Sequence, residues 1–197
     1  MLTRALPALL FLPAATAGAA TANIDVRGAD GKPLAGAAVL IDTPKKSTAP
    51  IRFTWGTAMA QRKIQFDPHI LIVPVGSTVT FPNYDKVRHH VYSFSKTKKF
   101  DLKLYGQDQS RSVLFDKTGV AAVGCNIHDA MSGFILVVDT PFALQTDANG
   151  HVTIPGVPPG GVTVRVWHPS IRGNDNMLAQ AAMVTPAGLT TTYTVRR

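Results

Sequence analysis

The sequence contains no glutamate, so its 12 acidic residues are all aspartates. This absence excludes every mechanism that needs a glutamate side chain. No segment after the N-terminus approaches the roughly 18 consecutive apolar residues of a spanning helix, so none is expected in the mature chain. Few segments have apolar residues at the 3.6-residue spacing of an amphipathic helix, whereas 16 glycines and 14 prolines are spread over the 197 residues. Many short strands joined by turns are therefore expected, which makes the predicted fold all-β.

Cysteine is almost absent, because Cys125 is the only one. The N-terminus carries Arg4, an apolar run from Ala5 to Ala15 and small residues through Ala22, which predicts a secretory signal peptide over residues 1–22 with cleavage within 17–22. The mature protein is therefore expected to be periplasmic or otherwise exported. A single cysteine cannot form an internal disulfide, so in an oxidising compartment it must be buried and inert, paired between chains or held by a metal.

The chain divides by composition into an N-terminal block at 23–50, a central block at 51–139 and a C-terminal block at 140–197. The outer two blocks contain seven predicted strands: Asn23–Val26, Ala37–Ile41, Phe142–Thr146, His151–Ile154, Val162–Trp167, Leu178–Val184 and Thr190–Val195. The central block contains eight: Lys63–Phe66, Ile70–Val75, Thr78–Phe81, His90–Phe94, Phe100–Tyr105, Ser112–Phe115, Ala121–Gly124 and Phe134–Val138. Eight strands in one block predict a compact β-sandwich or barrel of its own.

The outer blocks share turn patterns that frame short strands. Asp30–Val39 reads DGKPLAGAAV, and Thr146–Gly160 places a second Asp- and Gly-containing turn before a Pro-Gly turn. These patterns resemble the carboxypeptidase regulatory-like domain, a small prealbumin-like β-sandwich. The resemblance implies that the central domain is inserted in this sandwich or packed beside it. No peptidase activity is expected, because such an enzyme needs a zinc-binding glutamate.

Soft metal donors follow one another at fixed spacing in the central block. Cys125, His128 and Met131 lie at positions i, i+3 and i+6, in a loop between two predicted strands. A second imidazole can come from His89 or His90. Two histidines and one cysteine in a plane, with a weak axial methionine, define a blue-copper electron-transfer site. The pattern therefore predicts one copper ion that cycles between Cu(I) and Cu(II).

The central block resembles the cupredoxins through Asn83-x-Asp85-x3-His89-His90-Val91 and Cys125-x2-His128-x2-Met131. The short loop is similar to that of amicyanin, and the whole chain is similar to exported proteins often labelled methylamine utilization proteins. The resemblance implies a Greek-key β-sandwich with His89, Cys125, His128 and Met131 as copper ligands. It also implies a supporting role for Asn83 and for the position of His90, where the family usually has asparagine.

Strand alternation gives a different indication for the first histidine. His89 and His90 should point to opposite faces of a sheet. His90 shares its face with Tyr92 and Phe94, a more apolar set than Val91 and Ser93, which taken alone favours His90 facing inward. The family pattern nevertheless favours His89, because a ligand at the end of a sheet follows loop geometry more than core alternation.

The sequence thus predicts a non-enzymatic electron carrier whose partner is a redox protein, a cytochrome or a dehydrogenase. The resemblance to the cupredoxins implies that His128 is the electron port, with a small apolar rim of Ala130, Met131 and Gly133. Nucleic acid is not an expected partner, because the chain is exported and has no recognised binding motif. The cations that could steer an acidic partner are Lys86, Arg88, Lys96, Lys98, Lys99 and Lys103.

Two other functions are alternatives to the electron carrier. The first is copper delivery, storage or sensing, in which the metal exchanges readily. The second is a carbohydrate- or protein-binding module with a secondary copper site, which would bind glycans or proteins through the outer sandwich. His69, His151 and His168 have no partner at ligand spacing, so structural roles are expected for them.

Overall fold

The computed structural model describes residues 18–197, and these form β-strands almost throughout, which confirms the all-β prediction. Most of the predicted signal peptide lies outside the described residues. The one described helix is a 3-10 turn at Asn174–Asn176. No helix in the described part of the chain is long and apolar enough to cross a membrane.

The strands follow one another with short connections. In chain order they are β1 (Ala20–Gly28), β2 (Ala38–Asp42), β3 (Ala60–Arg62), β4 (Gln65–Asp67), β5 (Ile70–Pro74), β6 (Ser77–Pro82), β7 (His89–Phe94), β8 (Lys99–Tyr105), β9 (Ser110–Phe115), β10 (Gly119–Cys125), β11 (Ser132–Val138), β12 (Ala143–Gln145), β13 (His151–Val157), β14 (Gly160–Trp167), β15 (Met177–Val184) and β16 (Leu189–Val195).

The outer sandwich is built from both ends of the chain. One sheet has the order β13-β1-β16 and the other has the order β12-β2-β14-β15. Strand β1 alternates buried and partly exposed residues, and its inner side chains, such as Ile24 and Val26, join Val39 and Val164 in a shared core. All seven strands predicted for the outer blocks are present.

Strand β1 begins earlier than predicted, at Ala20, and Ala20 and Ala22 are both buried in the core. Placing the mature N-terminus at Asn23 would remove the start of this strand. Cleavage after Ala17 or Ala19 would leave β1 whole. Strand β1 therefore includes Ala20 to Ala22 of the predicted signal peptide, and cleavage within 17–22 stays a prediction.

The central sandwich holds strands β3–β11. A sheet of order β5-β11-β10-β7-β8 faces the β6–β9 pair, and the hairpin β3–β4 lies beside β6 through bridges from Ala58 to Thr80 and from Gln61 to Asn83. Apolar residues of both layers meet in one core that also contains Cys125. The all-β chain thus consists of two sandwiches. In sequence, the strands of the central sandwich lie between the N-terminal and C-terminal parts of the outer sandwich.

The prediction of a strand at Lys63–Phe66 is wrong at its start. Lys63 and Ile64 form the tip of hairpin β3–β4, with φ angles of 53° and 58°. The left-handed conformation at a two-residue hairpin tip normally takes glycine, asparagine or aspartate, so a lysine and a β-branched residue give no turn signal in the sequence.

The two sandwiches share a third apolar cluster, which explains why strands β2, β5 and β11 are buried on both faces. In β5 and β11, alternate residues face the central core, while Ile70, Ile72, Leu136 and Val138 face the outer sandwich. The outer sandwich contributes Ala38, Leu40, Ala143 and Trp167 to the same cluster. The ring of Trp167 packs on Phe134, with 5.2 Å between centroids. The outer sandwich therefore covers one face of the central sheet at strands β5 and β11.

Candidate metal centre

Strand pairing positions the predicted donors at one end of the central sandwich. Strands β7 and β10 are antiparallel neighbours, with Cys125 opposite Val91. The first residue of β7, His89, therefore lies beside the last residue of β10, Cys125. The loop that follows β10 brings His128 back towards the same point.

Three donor atoms converge there. Sγ of Cys125 lies 3.6 Å from Nδ1 of His89 and 3.5 Å from Nδ1 of His128. The ligand atoms of the three residues all lie within 4.8 Å of one another. His89 and Cys125 are buried, and His128 is half-buried. The geometry can accommodate one ion between a sulfur and two imidazole nitrogens.

The structure brings His89, and not His90, to the cysteine. His89, Val91 and Ser93 are the buried side of β7, so the apolar alternation that favoured an inward His90 is misleading. His90, Tyr92 and Phe94 instead form an aromatic row on the opposite face of the sheet. Nε2 of His90 lies 2.5 Å from a carboxylate oxygen of Asp101.

The supporting role expected at position 90 is carried by the backbone. The carbonyl oxygen of His90 accepts a hydrogen bond from the Asn126 N–H at 3.0 Å, which ties β7 to the loop after Cys125. The His90 side chain points away to Asp101. Because the link between β7 and this loop runs through the backbone, it does not depend on the His90 side chain.

The loop from Cys125 to Met131 is closed by its own backbone. The Cys125 N–H donates to the Met131 carbonyl at 3.2 Å, and the Met131 N–H donates to the His128 carbonyl at 2.8 Å. Met131 is 2% exposed and belongs to the same buried cluster as Cys125. The methionine is thus held in the core, with its backbone hydrogen-bonded to that of Cys125.

Asn83 organises the segment that leads to His89. Its side chain is fully buried, donates to the Val87 carbonyl at 2.9 Å and accepts the Asp85 N–H at 2.9 Å. Because a buried amide without partners is costly, this arrangement fixes the loop in one conformation. Asn83 therefore fixes the loop that leads to His89, and its supporting role at a metal site stays a prediction.

Asp85 holds the other side of the His89 ring, a role that the sequence did not assign. Its Oδ2 lies 2.9 Å from Nε2 of His89, and the carboxylate also accepts the Lys63 N–H at 2.6 Å and the Ile64 N–H at 2.9 Å. Burial raises the pKa of Asp85, but these hydrogen bonds outweigh it and hold the pKa below its usual range. An ionised carboxylate only accepts, so the proton sits on Nε2 and Nδ1 is free to bind a metal.

The same carboxylate stabilises a strained turn. A left-handed conformation costs an L-residue about 1–2 kcal/mol, and the cost is least tolerable for a β-branched side chain such as Ile64. The two backbone hydrogen bonds to Asp85 offset this cost at Lys63 and Ile64. The spacing of Asp85 and His89 in the sequence was a signal for their contact. The contact of Asp85 with Lys63 and Ile64 had no such signal, because these residues are distant in sequence.

The predicted apolar rim is partly wrong. Met131 and Gly133 are buried and cannot form a surface, because Met131 fills the core and Gly133 packs under Phe66 and His69. Ala130 is exposed. Larger exposed apolar residues lie in the loops at this end of the sandwich: Ile64, Tyr84, Val87 and Ile127.

The predicted basic cluster separates into two groups. Lys86 and Arg88 lie in the loop before His89, whereas Lys96, Lys98 and Lys99 lie at the other end of β7. Six strand residues at about 3.3 Å each put roughly 20 Å between the two ends. Salt bridges to aspartates also occupy two members of the cluster, Lys98 and Lys103.

The remaining histidines make local contacts. His69 bonds to the Ser132 carbonyl, His151 to Asp25, and His168 to Ser170. Burial lowers the pKa of His168. Within residues 18–197, one group of three or more His, Cys, Asp or Glu residues could hold a metal ion, and it consists of His89, Cys125 and His128.

The donor set fits copper. A thiolate and two imidazoles are soft or borderline ligands, and a buried methionine beside them is typical of copper sites. No carboxylate takes part in the cluster, which disfavours calcium or magnesium. The fold and the cluster together define an all-β protein with a potential copper site at one end of a sandwich.

Comparison with solved structures found copper proteins with limited similarity to this chain. A purple cupredoxin from Nitrosopumilus maritimus is 23% identical, with a TM-score of 0.39, over 42% of this chain and 100% of that chain. A reduced amicyanin variant is 23% identical, with a TM-score of 0.39, over 50% of this chain and 99% of that chain. The Cu-containing nitrite reductase from Thermus scotoductus SA-01 is 25% identical, with a TM-score of 0.40, over 49% of this chain and 25% of that enzyme.

The chain thus spans about a quarter of the nitrite reductase. No protein-family model matches the sequence, and no curated protein matches it either.

Two adjacent substitutions test which histidine belongs to the site. His89→Ala removes an imidazole whose Nδ1 faces Cys125, so copper added to this variant should give no thiolate-to-copper colour. His90→Ala removes a ring on the opposite face, so the colour should persist with at most a small shift. Visible absorption after one equivalent of Cu(II) measures both variants. The reverse pattern would show that His90 is the ligand.

Proposed function

We propose that this chain is an exported type 1 copper protein that carries single electrons between redox partners. His89, Cys125 and His128 would hold one copper ion, and Met131 would be a further, weak ligand. The ion would supply one-electron chemistry between Cu(I) and Cu(II). The observation that carries the proposal is the convergence of Cys125 Sγ with the two Nδ1 atoms.

The surroundings of the cluster support a rigid site. Asp85 fixes the ring orientation of His89, the loop hydrogen bonds fix Met131, and the core excludes water from Cys125. A site whose donors are held in place needs little rearrangement when the charge of the metal changes. His128 is the ligand nearest to solvent, so it would be the electron port.

The nearest alternative is a protein that delivers, stores or senses copper. Such a function needs donors that exchange the metal readily, and the buried, hydrogen-bonded His89 and Cys125 disfavour it. The structure of the outer sandwich favours no glycan or protein ligand in particular.

Redox cycling in the presence of a chelator separates the carrier from the delivery protein. We expect the copper-loaded protein to pass through repeated reduction and oxidation with its copper retained when a Cu(I) chelator is present in excess. The measurement is the metal content and the visible spectrum after each cycle. Loss of copper to the chelator during the first reduced phase would contradict the carrier function.

A further inference from the structure

Gln61 is a buried polar residue whose side chain the fold leaves without partners. It lies on β3 and is 0% exposed, and neither Nε2 nor Oε1 of its amide has a hydrogen-bond partner. Among residues 18–197, no other buried side-chain nitrogen or oxygen is in this state. Burying a polar group without a hydrogen bond destabilises a protein, so an apolar side chain of the same size would give a more stable core. Stability alone therefore does not explain a glutamine at this position.

Chain segments that carry or position candidate ligands enclose Gln61. Its backbone pairs with that of Phe66 on β4. The Phe66 side chain packs on Gly133, the second residue after Met131. On its other side, Gln61 forms a bridge with Asn83, which fixes the loop that leads to the first candidate histidine. Gln61 therefore lies between two segments of the candidate metal centre.

Tyr105 brings the Gln61 amide close to the donor cluster. Tyr105 is fully buried, lies opposite His89 in the β7–β8 pair and shares its core with Cys125. Burial raises the pKa of Tyr105, the Gln61 amide lowers it, and a negative charge on Cys125 raises it further. Only the N–H end of an amide lowers the pKa of a phenol, because it stabilises the phenolate, so Nε2 of Gln61 faces Tyr105. The Tyr105 hydroxyl donates to the Phe81 carbonyl at 2.9 Å, which leaves Oε1 of Gln61 without a donor.

Resting on the proposed copper function, we infer that Gln61 serves the metal centre and sets its reduction potential. A site of one thiolate and two neutral imidazoles carries one more positive charge with Cu(II) than with Cu(I). An amide oxygen without a donor stabilises positive charge, and it does so strongly in a core of low dielectric constant. Gln61 thus favours Cu(II) and lowers the reduction potential relative to an apolar residue. In the metal-free protein the same amide only destabilises the core.

Gln61→Met tests the effect on the metal centre, because it replaces the amide by an apolar side chain of similar length. The reduction potential of the copper-loaded protein, measured by a spectroscopic redox titration, should rise. The Cu(I)/Cu(II) ratio at a given potential should increase at least tenfold, which is 59 mV for one electron. Met59→Leu is the matched control, since Met59 is fully buried in the same core two residues earlier, and it should change the ratio less than twofold.

The stability of the metal-free protein gives a second readout that does not depend on copper. The denaturation midpoint of Gln61→Met should lie above that of the wild type, because an unpaired amide is removed from the core. Met59→Leu should not raise it. A midpoint of Gln61→Met that stays level or falls would show that Gln61 is a structural residue of the core, and would overturn the inference.

A potential of Gln61→Met that falls, or that shifts no more than that of Met59→Leu, would also overturn the inference while leaving the carrier function intact. The carrier function fails separately. In that case the wild-type protein with copper would show neither a thiolate-to-copper band nor reversible reduction.

Discussion

Replacing Cys125 by serine should abolish the intense visible colour that a thiolate gives with Cu(II), even where copper still binds. The colour arises from charge transfer between a sulfur ligand and the metal, and a serine oxygen is a hard, weak donor that cannot replace it. Cys125 is the only cysteine in the chain, so no other thiol can restore the band. The expected change is therefore complete loss rather than a shift.

The control for this variant is Ser132→Ala, at an exposed position just after the same loop. It should keep the colour of the wild type. Unfolding of both apoproteins in denaturant shows whether either substitution disturbs the core. A persistent band in the Cys125→Ser protein would contradict the assignment of the thiol as a copper ligand.

Trp167→Ala should lower the free energy of unfolding by about 3–5 kcal/mol, as is usual for loss of a large buried aromatic side chain. Trp167 is 2% exposed and fills the space between the two sandwiches, where it packs on Phe134. Removing the indole leaves a cavity against Leu136 and Leu40, which lie in the same cluster. Because strands on both sides lose contacts, the effect should extend to both sandwiches.

Chemical denaturation monitored by circular dichroism measures this change. Met183→Ala serves as the control, because Met183 is 62% exposed on β15 and its truncation should change stability by less than about 0.5 kcal/mol. A loss below about 1 kcal/mol in Trp167→Ala would show that the two sandwiches are not packed against each other as described.

Local patterns predicted most of the strands. The turns at Asp30-Gly31 and at Gly150 could be recognised because glycine readily adopts the left-handed backbone that a turn requires. Gly31 has a φ of 76° and Gly150 a φ of 73°. The loop from Cys125 to Met131 was also evident, because chemically unusual residues recur there at short spacing. These features depend on residues that are close in sequence.

Features that depend on distant contacts were not predicted. Asp85 joins His89 to a hairpin about twenty residues away, and no local pattern shows that its carboxylate points there. Alternation along β7 indicated the wrong face for His90, because the outer face of that strand carries its own aromatic row. The uninterrupted apolar runs of β5 and β11 did contain a signal, since strands of that kind are covered on both faces.

The most direct test of the account is the spectrum of the wild-type protein with copper. One equivalent of Cu(II) is added to the purified mature protein, and visible absorption and electron paramagnetic resonance spectra are recorded. Convergence of Cys125, His89 and His128 on one ion predicts an intense thiolate charge-transfer band with a narrow copper hyperfine splitting. A pale protein with an ordinary, wide splitting would contradict it, because the donors would then not act together on the metal.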